Sequence, residues 1–292
     1  MADLGGTVGA AIDAIHAQFQ SAGLYYGHGT DNAWDEAVAL VLAITQYPDD
    51  ESALGLAISN EQADTIAELA NQRTTEKVPL AYLLGYADYC GERFVVRPGV
   101  LVPRSPLGFL LQDGLQPWLP KQVSKIADLC AGTGCLGILA ALHFPEADVV
   151  LVETDELAIQ VAAENIHAFG LQDRVSVLAC DVTQDELPVA DLVICNPPYV
   201  DAADMATLPA EYRAEPSKGL AAGEDGLQVI LPVLENIRLN PGGMFLGEVG
   251  NSARALANRR PMPYIWLDLP SGGEGVFVLE AEALNSHTAR QL

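Results

Sequence analysis

The chain has 292 residues, half of them hydrophobic and only 18% charged, enough for one large domain with its own core plus a smaller one. Its 39 acidic side chains against 15 basic ones give a formal charge of −24, a surface that repels phosphate backbones, argues against direct nucleic-acid binding and favours a basic partner. No run approaches an uninterrupted bilayer-spanning length, and the N-terminus lacks a basic start followed by an apolar stretch, so a cytoplasmic protein with no membrane association is expected.

The first 77 residues read as a small helical domain. Apolar positions recur at three- and four-residue spacing in VGAAIDAIHAQFQ and AWDEAVALVLAI, and Ser59-Asn60-Glu61 opens a further helix, EQADTIAELANQR. Residues 78–106 are rich in aromatic and β-branched residues, Gly and Pro, and the Cys90-Gly91-Glu92 turn between apolar runs predicts a β-hairpin linker. Residues 107–292 form the second domain. LGFLLQDGLQPWL reads as its entry helix. From Ser124 short apolar runs alternate with helical patterns: KIADLC, a helix from Gly134, DVVLVE, a helix through Glu156–Phe169, RVSVLAC and DLVICN. That alternation predicts a parallel sheet with helices on both faces and ligands at the carboxyl ends of its strands. DGLQVILPVLENIRL reads as a further helix, followed by MFLGEV, IWLDL and GVFVLE as strands and ALNSHTARQL as a loose tail.

Cysteine and histidine offer no metal site. Cys90, Cys130, Cys135, Cys180 and Cys195 contain no CxxC pair and sit mostly in apolar segments, as buried reduced thiols do; the five histidines have no HxxxH or HxH spacing.

Chemistry concentrates at three strand ends. Asp128-Leu-Cys-Ala-Gly-Thr-Gly-Cys-Leu-Gly137 follows one strand and opens a helix, with Gly132 and Gly134 letting the backbone bend and approach a ligand. Glu153 ends the next strand, 19 residues after Gly134, where a carboxylate can accept from both hydroxyls of a ribose. Asp181 follows the third strand, where it can meet an adenine amine or simply cap a turn. Gly132-x-Gly134-x-x-Gly137 also satisfies the dinucleotide pattern, so a nicotinamide dehydrogenase is a rival reading. Against it, Asp128 beside the loop suits a cationic, phosphate-free nucleoside such as S-adenosylmethionine, and no hydride-transfer partner stands out.

The fourth strand, ADLVIC, stops at Asn196-Pro197-Pro198-Tyr199. Asn196 and Pro197 each precede a proline and are steered into extended geometry, and neither proline has an N–H. What remains is a stiff row of acceptors, the Asn196 side-chain carbonyl and the neighbouring backbone carbonyls, suited to gripping an NH2 group while Tyr199 stacks on its plane. The implied target is a planar amide or an exocyclic base amine.

DLCAGTGCLG, Val152-Glu153, Cys180-Asp181 and NPPY together resemble class I S-adenosylmethionine-dependent methyltransferases, specifically the HemK-like N5-glutamine protein methyltransferases. PLAYLLGYADYCGERFVV, VLVPRSPL, EYRAEPSKGLAAGEDGL, EVGNS and GGEGVFVL are similar to the branch acting on a glutamine of the third large-subunit ribosomal protein; a release-factor methyltransferase is the nearest alternative. The resemblance implies a Rossmann-like α/β catalytic domain of seven strands, the last antiparallel, with a helical N-terminal substrate-recognition domain and a hairpin linker. It also implies that Cys130, Ala131, Gly132, Thr133 and Gly134 line the methionine portion of the donor, Glu153 the ribose and Asp181 the adenine. Asn196, Pro197, Pro198 and Tyr199 would hold the glutamine, with Asn196 bordering the donor as well. Cys130 and Ala131 stand where glycine is frequent in related enzymes, and Glu153 replaces a frequent Asp. NPPY also occurs in N6-adenine DNA methyltransferases, but these call for a basic cleft, which −24 opposes. A cofactor-binding scaffold that transfers nothing is the non-enzymatic alternative.

Overall fold

The computed structural model describes residues 4–116, 123–269 and 274–288, so Pro117–Trp118–Leu119 of the expected entry helix and the last residues of the tail lie outside it. Three helices open the chain, α1 (Val8–Ser21), α2 (Ala33–Thr45) and α3 (Asn60–Thr75). Each has a side-chain N-cap in Thr7, Asn32 and Ser59, and Ser59 with Gln62 forms a complete capping box. The apolar stripes of the three meet in one core containing Val8, Ile15, Phe19, Leu40, Val41 and Ile66.

The short helix α4 (Leu80–Leu84) ends at Gly85 in the left-handed conformation. It leads into the hairpin of β1 (Tyr86–Tyr89) and β2 (Glu92–Val95), which are antiparallel. The expected turn is present, with Cys90 and Gly91 both at positive φ (53° and 78°), the twist that a two-residue hairpin requires. Helix α5 (Leu107–Gln112) is shorter than its apolar pattern. Gly114 and Leu115, both left-handed, end it.

The sheet follows: β3 (Lys125–Leu129), α6 (Cys135–His143), β4 (Asp148–Glu153), α7 (Glu156–Ala168), β5 (Val175–Ala179) and β6 (Val189–Cys195). After it come α8 (Ala202–Thr207), α9 (Ala210–Arg213), α10 (Ile230–Asn236), β7 (Arg238–Glu248), α11 (Ala253–Arg259), β8 (Ile265–Leu267), β9 (Val276–Glu280) and α12 (Ala281–Thr288). The strand order is β5-β4-β3-β6-β7-β9-β8, parallel from β5 to β7, with β9 antiparallel to both neighbours. Side chains alternate between faces. Ile126, Leu151, Ile194 and Leu246 pack under α5, α6 and α7, whereas Leu129, Val193, Phe245 and Phe277 pack under α10, α11 and α12.

The tail expected to be loose is in part α12, with Leu284 buried, and two further boundaries differ from the sequence pattern. The helix expected over 225–239 is only α10, because Pro232 has no N–H to donate and is tolerated only in the first turn; Arg238 and Leu239 already pair with β6. β7 therefore starts six residues before Met244 and carries Asn240-Pro241-Gly242-Gly243 through a register shift opposite Ala190/Leu192. Asn240 donates to Asp191 Oδ1 (2.7 Å) there, pinning the shift. Among the described residues no helix is long and apolar enough to cross a membrane.

Candidate active site

β3 lies between β4 and β6, and the chain leaves β4 for one edge and β6 for the other, so the crevice above β3 is where a ligand fits a sheet of this kind. A cleft of about 1090 Å³ opens there. Cys130, Ala131, Gly132, Thr133, Glu153, Asp181, Asn196, Pro197, Pro198 and Tyr199 all line it, brought from the ends of β3, β4, β5 and β6.

The loop after β3 is tied down on both sides. Ala131 donates its N–H to Val152 O (3.1 Å), and Glu153 Oε2 accepts from Gly132 N–H (2.9 Å). Glu153 Oε1 accepts from the N–H groups of Thr154 and Asp155 (2.8 and 3.0 Å), so the carboxylate is fixed at the rim. Gly132 is left-handed, and a Cβ there would meet nothing within 4 Å: the backbone is open to the cleft. Cys130 is also left-handed (φ 59°), the geometry in which a glycine is cheapest.

Asp128 and Gly134 do not line the cleft. Asp128 is 1% exposed, and its Oδ2 accepts from Gly137 N–H (2.8 Å) in the first turn of α6. Gly137 has no room for a side chain: a Cβ would lie 2.1 Å from Leu151 Cδ2 and 3.1 Å from Asp128 Cβ. Asp128 therefore fixes the helix start from behind the loop, and the idea that its charge faces the donor is corrected. Burial pushes its carboxyl up to about 7, against the Gly137 hydrogen bond. The folded chain thus holds a proton on Asp128 that the unfolded chain has lost, and stability drains away as pH rises from about 4 to 7. Asp128→Asn is expected to remove that slope; a denaturant-unfolding difference curve, wild type minus variant, that stays flat across this window would contradict the assignment.

Asp181 caps a turn as well as lining the cleft. Its Oδ1 accepts from the Thr183 N–H (2.9 Å) and hydroxyl (2.7 Å), which hold the carboxyl below its usual range.

The corner after β6 is stiff and oriented. Asn196 Oδ1 is buried and has no hydrogen-bond partner, an expensive state for a lone acceptor unless a ligand fills it. Tyr199 is held from three directions. Its hydroxyl donates to Glu248 Oε1 (2.7 Å), its carbonyl accepts from Ser252 Oγ (3.0 Å), and its ring packs against Gly250, where a Cβ would come within 2.6 Å. Glu248, at the end of β7, is 5% exposed and also accepts from Ser105 Oγ. Burial pushes Glu248 up despite these bonds, and burial with the neighbouring carboxylate pushes the Tyr199 phenol up. Tyr199 is a committed donor, unsuited to act as a base. Glu248, Ser105 and Ser252 lie in EVGNS and VLVPRSPL, stretches that carry the family resemblance but that gave no role to these side chains.

A parallel sheet closed by one reversed strand, with a glycine loop, a rim carboxylate and NPPY at consecutive strand tips, defines a class I methyltransferase. Residues 112–212 match the methyltransferase small domain family. The chain is 39% identical over 279 residues to the ribosomal protein uL3 glutamine methyltransferase of Bordetella pertussis, covering 92% of this chain and 93% of that one. It is 40% identical over 283 residues to the enzyme of the same description from Burkholderia pseudomallei, covering 92% of each. Among solved structures, the hMettl16 catalytic domain in complex with MAT2A 3'UTR hairpin 6 superposes with a TM-score of 0.51 at 15% identity, over 82% of this chain and 91% of that one, a likeness of fold. The chain belongs to the family of ribosomal protein uL3 glutamine methyltransferases. The family's donor is S-adenosylmethionine, and the cleft fits it: an open glycine backbone, a rim carboxylate and a buried, unsatisfied carbonyl stand on one cavity.

Proposed function

We propose that the protein methylates the side-chain nitrogen of a glutamine in ribosomal protein uL3, the substrate in the names of its relatives. The observation that carries this reading is the buried Asn196 carbonyl without a partner, set at the strand tip beside the glycine loop. Cys130, Ala131, Gly132 and Thr133 would hold the methionine portion of the donor, Glu153 the ribose and Asp181 the adenine side. Bound S-adenosylmethionine supplies a methyl group on a positively charged sulfur.

The residues of this chain solve the nucleophile's problem. A carboxamide nitrogen is a poor nucleophile because its lone pair is delocalised into the carbonyl. Asn196 Oδ1 and the Pro197 carbonyl accept the two N–H bonds, orienting the nitrogen and pushing electron density onto it. Tyr199, locked by Glu248, presents its ring to the amide plane. A methylated amide is briefly a strong acid and loses its surplus proton readily, so no strong base is required at the corner.

Labelled S-adenosylmethionine, incubated with ribosomal proteins from a strain lacking the enzyme, is the test. Label on a glutamine of uL3 is expected; label on a nucleobase, or none, contradicts the reading. The −24 charge suits a basic substrate and opposes direct binding to nucleic acid, and a ribosomal-protein substrate is in keeping with a cytoplasmic enzyme. With that steering, kcat/KM is expected to fall by about tenfold as ionic strength rises from low to physiological and beyond. A salt-independent kcat/KM would remove the role of the charge.

A further inference from the structure

One wall of the cleft is held from inside the N-terminal helices. Tyr212, on α9, lines the cleft together with Tyr25, which comes from the loop between α1 and α2. The two rings meet edge to face at 5.5 Å. Tyr212 also packs on His28 (4.7 Å between rings) and under the Arg104 guanidinium (5.0 Å to the ring centroid). Its hydroxyl lies over Gly27, where a Cβ would approach to 2.8 Å.

Both glutamates flanking Tyr212 are buried, and both are paired across the domain boundary. Glu211 is 3% exposed; its Oε1 accepts from Arg73 Nη1 (3.2 Å) and from Tyr25 N–H (3.0 Å). Arg73, 1% exposed on α3, also donates to both oxygens of Glu36 on α2 and to Tyr25 O (2.9 Å). Glu215, 4% exposed, takes a bidentate pair from Arg104 (2.6 and 2.8 Å), accepts from Val102 N–H (2.9 Å) and faces His28 Nε2 at 3.4 Å. One side of the pairing comes from the helical domain and linker, the other from the segment that walls the cleft. Removing one partner of a buried pair leaves an uncompensated charge in the interior, so each of these pairs ties its two segments together.

We propose that Tyr212 and Tyr25 form the wall that receives the substrate chain around the target glutamine. Arg73, Glu211, Arg104 and Glu215 are positioning residues through which the N-terminal helices set that wall. This rests on the methyltransferase reading above and extends it to specificity. The helical domain thus acts on the catalytic cleft through the interior of its own chain.

Tyr212→Ala is expected to raise KM for the protein substrate about tenfold, the scale of one lost aromatic contact, with donor affinity by calorimetry unchanged; Tyr212→Phe restores KM. Arg73→Lys keeps the charge but cannot reach Glu36, Glu211 and Tyr25 O together. It should raise the same KM, add little in combination with Tyr212→Ala, and speed hydrogen exchange of the amides over 209–216. Glu211→Gln serves as the second variant if Arg73→Lys does not fold. A wild-type KM in Tyr212→Ala, additive effects in the double variant, or unchanged exchange over 209–216 in both positioning variants would overturn the proposal. Failure of the wild type to label uL3, with exchange still accelerated, would defeat the substrate reading and leave the coupling standing.

Discussion

Asn196→Ala is expected to lower kcat about 10²–10³-fold, the cost of removing one aligned hydrogen-bond partner from a preorganised site, with a far smaller loss of donor affinity. The reason is positional. Asn196 is the first residue after β6, and Cys195 before it pairs with Leu129 of β3, so the side chain emerges beside the loop that starts at Cys130. Its Oδ1 is out of reach of solvent and unpaired within the described residues. A carboxamide N–H that fills this gap gains more than it would at the surface, because the acceptor has already given up water. Alanine removes the acceptor and leaves Pro197, Pro198 and Tyr199 in place. Stopped-flow or single-turnover rates with tight donor binding are the check, and full turnover in the variant would contradict the role.

Gly226→Ala should damage both stability and turnover, although the residue lies away from the strand tips. Gly226 is left-handed (φ 73°), which costs a residue with a Cβ about 1–2 kcal/mol. Its added carbon would also lie 2.0 Å from Ser252 Oγ and 2.3 Å from Tyr199 O. The second contact is with backbone, so it cannot be relieved by turning a side chain, and overpacking of this kind costs about 1–3 kcal/mol more. Relief must break the Ser252–Tyr199 hydrogen bond and shift the corner that holds the amide. The expected outcome is a lowered melting temperature together with a fall in kcat of at least about tenfold, the rate cost of a small misplacement being large. A variant with wild-type kcat would show that the position of Tyr199 is immaterial.

How much of this was legible in the sequence follows from the range of the interactions. The glycine loop, Glu153 and NPPY each sit at the end of an apolar run, so strand periodicity alone brings them to one edge of a parallel sheet. Ser59-Asn60-Glu61 announces a helix start, and the structure contains it, with Gln62 completing a capping box the sequence reading did not single out. Asp128 lies two residues before the loop whose Cys130–Thr133 line the cleft, but alternation along β3 turns its side chain toward α6, so its position in sequence points the wrong way. Apolar spacing continues to Leu239, but Pro232 must fall in the first turn of α10 and Ile237 leaves the helical conformation, so the helix is shorter than its pattern.

The supporting side chains carry no local signature at all. Glu248 meets Tyr199 from 49 residues away, and Glu211 meets Arg73 from 138. A buried glutamate and a solvated one look identical in a sequence, and only the fold separates them. The same holds for the space at Gly226, which Tyr199 and Ser252 fill in addition to the left-handed turn that already favours glycine there.

The most direct measurement is a crystal structure of the protein with the demethylated donor and a peptide of the substrate carrying its glutamine. The account predicts the glutamine nitrogen within hydrogen-bond distance of both Asn196 Oδ1 and the Pro197 carbonyl, with its lone pair toward the donor sulfur across the tips of β3 and β6. A glutamine seated elsewhere in the cleft, with Asn196 Oδ1 bonded to the protein's own backbone, would contradict it.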